Sequence, residues 1–134
     1  PGRAAERSQL LGEARRDLLP RLEPLLDHAA LAAFQAEVPK VRASDALVDY
    51  VLRLVEATRT QPAFALGLSP RGSLALLAAA RAWALLAGRD YVIPEDVQAV
   101  LPAVAGHRLR DQADPTGHGG GALVQWLLRE VPAL

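Results

Sequence analysis

Between Ser69 and Gly88 the chain carries a complete helix specification that no strand could accommodate. Ser69 offers an N-cap hydroxyl, Pro70 stands at the first turn where a missing N–H costs nothing, and Gly88 supplies the stop. Leu74, Leu76, Leu77, Trp83, Leu85 and Leu86, with seven alanines from Pro70 through Ala87, are distributed almost all round the helix. Such a helix is expected to be central and packed by neighbours on several sides, with Trp83 in the core. The whole chain has 26 Ala and 24 Leu against 12 Val plus Ile in 134 residues. This balance favours helix, and the length suits one all-α domain, a small helical bundle.

The flanking segments fit that bundle. Ala4 to Leu11 forms a short helical signal, and Pro20 and Pro24 make Leu18 to Leu26 an extended or turn-rich connector. Asp27 can cap a helix over about His28 to Glu37 that buries Leu31 and Phe34 and stops at Val38-Pro39. Ser44 caps Asp45 to about Arg59, whose Leu47, Tyr50, Val51, Leu54 and Val55 share one face, with Asp49 and Arg53 a surface i,i+4 pair. Phe64 and Leu66 are expected to anchor the next loop to the core. Pro94-Glu95-Asp96 opens a helix to about Val104, with both carboxylates at its positive end. Asp111 to Gly121 has too little apolar surface to order itself and is expected to be a mobile, Gly-rich segment. Beyond it, Leu123, Trp126, Leu127 and Leu128 dock a terminal helix.

Charge and composition exclude several functions. Fifteen basic and fifteen acidic residues cancel, which leaves no bulk attraction to nucleic acid. With no Cys there is neither disulfide nor thiolate chemistry. His28, His107 and His118 share no ligand spacing with a carboxylate, so no metal site is expected. The apolar stretch from Ser73 to Gly88 is interrupted by Arg81 and falls short of the roughly 18 to 20 residues that span a bilayer. Arg81 reads as a cation that either seeks a carboxylate or snorkels to an edge. Pro1-Gly2-Arg3 lacks a signal-peptide pattern and reads as the cut end of a larger chain.

Arg71 is the local anomaly. A cation at the second helical position is opposed by the helix dipole by about 0.3 to 1 kcal/mol. A bound anion would reverse that sign, since free amides, the positive helix end and a guanidinium fork together make a phosphate site. A side chain bent into solvent or onto a carboxylate satisfies the same sequence. Gly67 and Gly72 have the separation of a phosphate loop, but Ser73 stands where its lysine belongs and Pro70 removes a donor. No strand ends in paired carboxylates for Mg2+. The chain alone is therefore not an ATP-hydrolysing enzyme.

The blocks Ala57-Thr58-Arg59, Gly67-Leu68-Ser69-Pro70-Arg71, Ala80-Arg81-Ala82, Gly88-Arg89-Asp90-Tyr91-Val92, Pro94-Glu95-Asp96-Val97 and His107-Arg108-Leu109, in that order, resemble the C-terminal lid domain of MoxR-type AAA+ ATPases. The resemblance implies residues 1–17 as a junction and first helix following an absent ATPase core and 18–110 as the helical lid, which leaves 111–121 as the flexible loop and 122–134 as the C-terminal helix read above. It implies that Arg71 is a sensor-2 arginine, and that Ser69, Pro70 and Arg71 meet ATP and Mg2+ held by the core. Gly72 stands where the family usually has Ala, and Gln61 where His is common. The parent would be a cytoplasmic, hexameric, chaperone-like ATPase whose partners are its own core, neighbouring subunits and a von Willebrand factor A domain protein. A non-catalytic helical interaction module is the competing reading.

Overall fold

The computed structural model describes residues 2–4, 7, 10, 21–112 and 120–133. Two compact units divide the chain, Pro1–Ala32 and Ala33–Leu134. In the first, Arg3, Ala4, Arg7 and Leu10 are helical, and residues 21–27 form no α-helix. The remainder of the expected first helix and of the Leu18 to Leu26 connector lies outside the described residues. Helix α1 (His28–Glu37) begins in the first unit and ends in the second. As expected, Asp27 caps it, Oδ1 accepting from Ala30 N at 2.7 Å.

The second unit is helical, with α2 (Asp45–Thr60), α3 (Pro70–Leu86), α4 (Pro94–Ala105) and α5 (Gly120–Glu130). A 3-10 turn, Val38–Lys40, follows α1 where Pro39 ends it. The strands β1 (Phe64–Leu66) and β2 (Arg110–Asp111) pair antiparallel, Phe64 opposite Asp111. A parallel bridge joins Arg42 to Tyr91, Arg42 N donating to Asp90 O at 2.8 Å and Val92 N to Arg42 O at 2.9 Å.

The core is built from one face of each of these four helices. Leu47, Tyr50, Val51, Leu54 and Val55 of α2 are all buried, as their spacing predicts. They meet Leu76, Ala80 and Ala84 of α3, Val97 and Leu101 of α4, and Leu123, Val124 and Leu127 of α5. Tyr50, fully enclosed, keeps a polar partner in Gln98, whose Nε2 donates to its hydroxyl at 3.3 Å. Trp126 stands edge-on to Phe64 with ring centroids 5.7 Å apart.

Four packing expectations are corrected. Leu31 and Phe34 are not core residues, and α1 buries none of its side chains. Apolar residues occupy every side of that helix, so it has no stripe to direct inward. Helix α3 is covered on one side, chiefly by α4, and Leu74, Trp83 and Leu86 are exposed rather than enclosed. Leu66 points outward because only Phe64 of the short strand faces the core. Arg53 bonds not Asp49 but the carbonyls of Pro132 and Ala133, at 3.3 and 3.1 Å, while its guanidinium lies over the Tyr50 ring.

Within the Gly-rich segment expected over 111–121, Asp111 belongs to β2 and Gly120 and Gly121 open α5. Residues 113–119, His118 among them, lie outside the described residues.

The two sides of α3 make different predictions. Leu76→Ala should cost about 2 to 5 kcal/mol in urea unfolding, the range for emptying a fully buried leucine site. Trp83→Ala, with half its surface already in water, should cost less than half as much as Leu76→Ala.

Candidate functional site around Arg71

The chain reaches Arg71 through a turn held by side chains of the preceding helix. Thr58, in the last turn of α2, is buried, and its Oγ1 donates to Val55 O at 2.6 Å while accepting from Leu68 N at 2.9 Å. The carbonyl of the same leucine accepts from Arg59 Nε at 2.8 Å. Both main-chain groups of buried Leu68 are thus satisfied away from any helix or sheet ladder. Gly67 passes so close to the Thr58 carbonyl that a Cβ there would collide with it.

Ser69 follows in extended conformation, φ −72° and ψ 164°, and caps α3 with its Oγ accepting from Gly72 N at 3.2 Å. The Ser69 carbonyl takes the Ser73 N–H at 3.0 Å. Pro70 has no N–H, so among the first-turn donors the Arg71 amide remains without a partner among the described residues. Its guanidinium is exposed and makes no ion pair or hydrogen bond among the described residues. Of the two alternatives left open above, a carboxylate partner is therefore not found among the described residues. Gly72 is buried, and a Cβ on it would stand 3.2 Å from Leu68 Cδ2, so alanine there requires a small shift of that leucine.

The far end of α3 is fixed as firmly. Gly88 is left-handed at φ 75° and closes a Schellman motif, Arg89 N donating to Ala84 O at 3.0 Å and Gly88 N to Leu85 O at 2.9 Å. Arg89 then grips buried Asp96 bidentately, at 2.7 and 2.5 Å. Asp96 Oδ2 also accepts from Ile93 N at 2.9 Å, half of a capping box for α4. Hydrogen bonding from Arg89, reinforced by the Ile93 amide, outweighs the burial that opposes it and lowers the Asp96 pKa below its ordinary value of 3.8. The same hydrogen-bonded partner raises the Arg89 pKa above its ordinary value.

A family model described as the AAA lid domain matches residues 56–125, a span that starts just before Thr58 and includes Arg71, Arg89 and Asp96. The chain belongs to that family. Its relatives make the lid one of the MoxR type. It is 41% identical over 110 residues to the Bacillus subtilis protein YeaC, covering 82% of this chain and 34% of that one. It is 43% identical over 99 residues to chaperone MoxR1 of Mycobacterium tuberculosis, covering 67% of this chain and 26% of that one. A solved structure of a candidate ATPase from Cytophaga hutchinsonii superposes on 72% of this chain and 33% of that one, at 28% identity and a TM-score of 0.62. The chain thus spans about a third or less of the length of these relatives.

The sequence singled out Ser69, Pro70 and Arg71, and the structure sets them together at the head of α3. It did not single out Thr58, Arg59 and Gly67 as the clamp beneath them. The available signal was a Thr-Arg pair at a helix end followed by a loop glycine, but the bonds join residues about ten apart through a turn of no standard type.

Thr58→Val is isosteric and removes the acceptor for a buried amide, so it should cost about 1 to 3 kcal/mol in chemical unfolding. Gly67→Ala should be at least as damaging. The depressed Asp96 pKa gives stability that is complete above the ordinary value of 3.8 and is lost as pH falls towards the lower folded-state value. Asp96→Asn should accordingly melt below the wild type at neutral pH, and the gap in Tm should narrow as pH drops below about 4.

Proposed function

We propose that this lid works within a longer AAA+ ATPase as the element that presents Arg71, in the sensor-2 role, to ATP and Mg2+ held by that protein's core. The observation that carries this reading is an exposed guanidinium, without a partner among the described residues, at the positive end of a helix whose two ends are clamped. The arrangement is unfavourable in isolation and becomes favourable when a phosphate arrives. Ser69 and Pro70 contribute by setting the cap from which Arg71 projects. Charge stabilisation of a transferring phosphoryl group is the chemistry such an arginine supplies.

Residues at positions 71, 74, 78 and 82 recur on one side of a helix, and Arg71, Leu74 and Ala78 are exposed there. An ATPase core seated on that side would cover the apolar residues and meet the arginine together. Loss of the γ-phosphate would then release a contact at the head of α3, and the rigid helix would carry the change to the rest of the lid. In this account the parent is a hexameric, cytoplasmic, chaperone-like ATPase that remodels or assembles partner proteins, with a von Willebrand factor A domain protein among them. The MoxR1 relative, named a chaperone, supports that direction. The exposed Trp83 and Leu86 favour a second reading, a helical module that docks other proteins without nucleotide.

Nucleotide separates the two readings. In the intact ATPase, Arg71→Ala should lower kcat more than tenfold, about 1.4 kcal/mol of barrier or more, with the lid's Tm little changed. Equal turnover in variant and wild type would leave the docking module as the better account.

A further inference from the structure

A second cationic feature lies about 15 Å further along α3 from Arg71, ten residues at 1.5 Å each. Arg81 is half-buried, and its Nε is enclosed without a hydrogen-bond partner among the described residues. A guanidinium N–H that has lost its water and gained no acceptor is costly, and native structures rarely leave one so. Arg81 lines a cavity of about 640 Å3 together with Lys40, Arg42, Val41, Tyr91 and Val92. Among the described residues the ionic groups of that lining are three cations and no carboxylate, in a chain whose net charge is zero. Glu37 holds Lys40 at 2.7 Å and Asp90 holds Arg42 at 3.0 Å, but both carboxylates are solvent-exposed and neither lines the cavity.

We propose that this cleft between the Val41–Ala43 segment, Tyr91-Val92 and the middle of α3 is a carboxylate-binding site, with Arg81 at its base and Lys40 and Arg42 at its rim. Two of the three cations already have an anionic partner, so one positive charge is left unmatched. That count suits a carboxylate of single charge better than a doubly charged phosphate. The edge of a guanidinium bearing Nε pairs side-on with a planar carboxylate, and Val41 and Val92 give an apolar lining for a short aliphatic stem. A glutamate side chain of a partner polypeptide and one carboxylate end of a free small dicarboxylate, its other end left in solvent, share this chemistry. The exposed pairs at the rim are weak and exchange easily, so an incoming carboxylate can draw on Lys40 and Arg42 as well.

The test is a nuclear magnetic resonance titration of the 15N-labelled 134-residue chain, read at the Arg81 side-chain Nε–H and the Val41 and Tyr91 amides. The probes are glutarate, the blocked tripeptide acetyl-Ala-Glu-Ala-amide and inorganic phosphate. A saturable shift of the Arg81 resonance is expected with glutarate or the tripeptide. Tighter binding of the tripeptide assigns the site to a polypeptide, and tighter binding of glutarate assigns it to a free carboxylate. Arg81→Gln should abolish the shifts at Val41 and Tyr91. Lys40→Gln and Arg42→Gln, which alter only exposed side chains and keep the fold, should each weaken binding at least threefold at low salt. No saturable shift with either carboxylate, phosphate binding tenfold tighter than both, or unchanged affinity in the two rim variants would overturn the proposal.

Discussion

The position of Arg71 depends on how Leu68 is held. Its amide and carbonyl leave regular structure between two helices and are buried with the side chain, so each needs a partner that water cannot provide. Thr58 accepts from one and Arg59 donates to the other, and both come from the last turn of α2. A typical hydrogen bond adds only about 0.5 to 1.5 kcal/mol net, but the alternative here is a buried unpaired amide, which is worse. The pair therefore fixes the direction in which the chain leaves Leu68. Ser69, Pro70 and Arg71 inherit that direction, and the guanidinium is presented by a turn with little freedom to relax.

The opposite end of α3 is secured by different means with the same result. A left-handed glycine turns the chain, and Arg89 joins the exit of α3 to the entry of α4 through buried Asp96. The Arg42–Tyr91 bridge ties the segment before α2 to this junction. A helix held at both ends and packed on one side suits the rigid-rod role proposed for it. Its other side carries Leu74 and Leu86 in the open, an arrangement suited to a surface that closes against another body.

Much of this was legible in the sequence where one residue type has one local job. Ser44, Ser69 and Asp27 cap the helices they precede, Gly88 ends α3, and the apolar face of α2 follows its period. Legibility failed where side chains are apolar on all sides, because periodicity then names no inward face. Leu31, Phe34 and Trp83 were misplaced for that reason. It also failed where a partner is distant in sequence. Arg53 reaches Pro132 and Ala133, and strands of three and two residues are too short to show alternation. The head of α3 stands out in the sequence through the electrostatic oddity of Arg71, whereas its support from Thr58 and Gly67 is visible only in the fold.

The most direct measurement is the structure of a full-length ATPase carrying this lid, trapped with Mg2+ and a non-hydrolysable ATP analogue. The Arg71 guanidinium should lie within hydrogen-bond distance of a phosphate oxygen, with the Thr58 and Arg59 bonds to Leu68 intact. A closed, nucleotide-filled state in which that side chain points into bulk water would contradict the account.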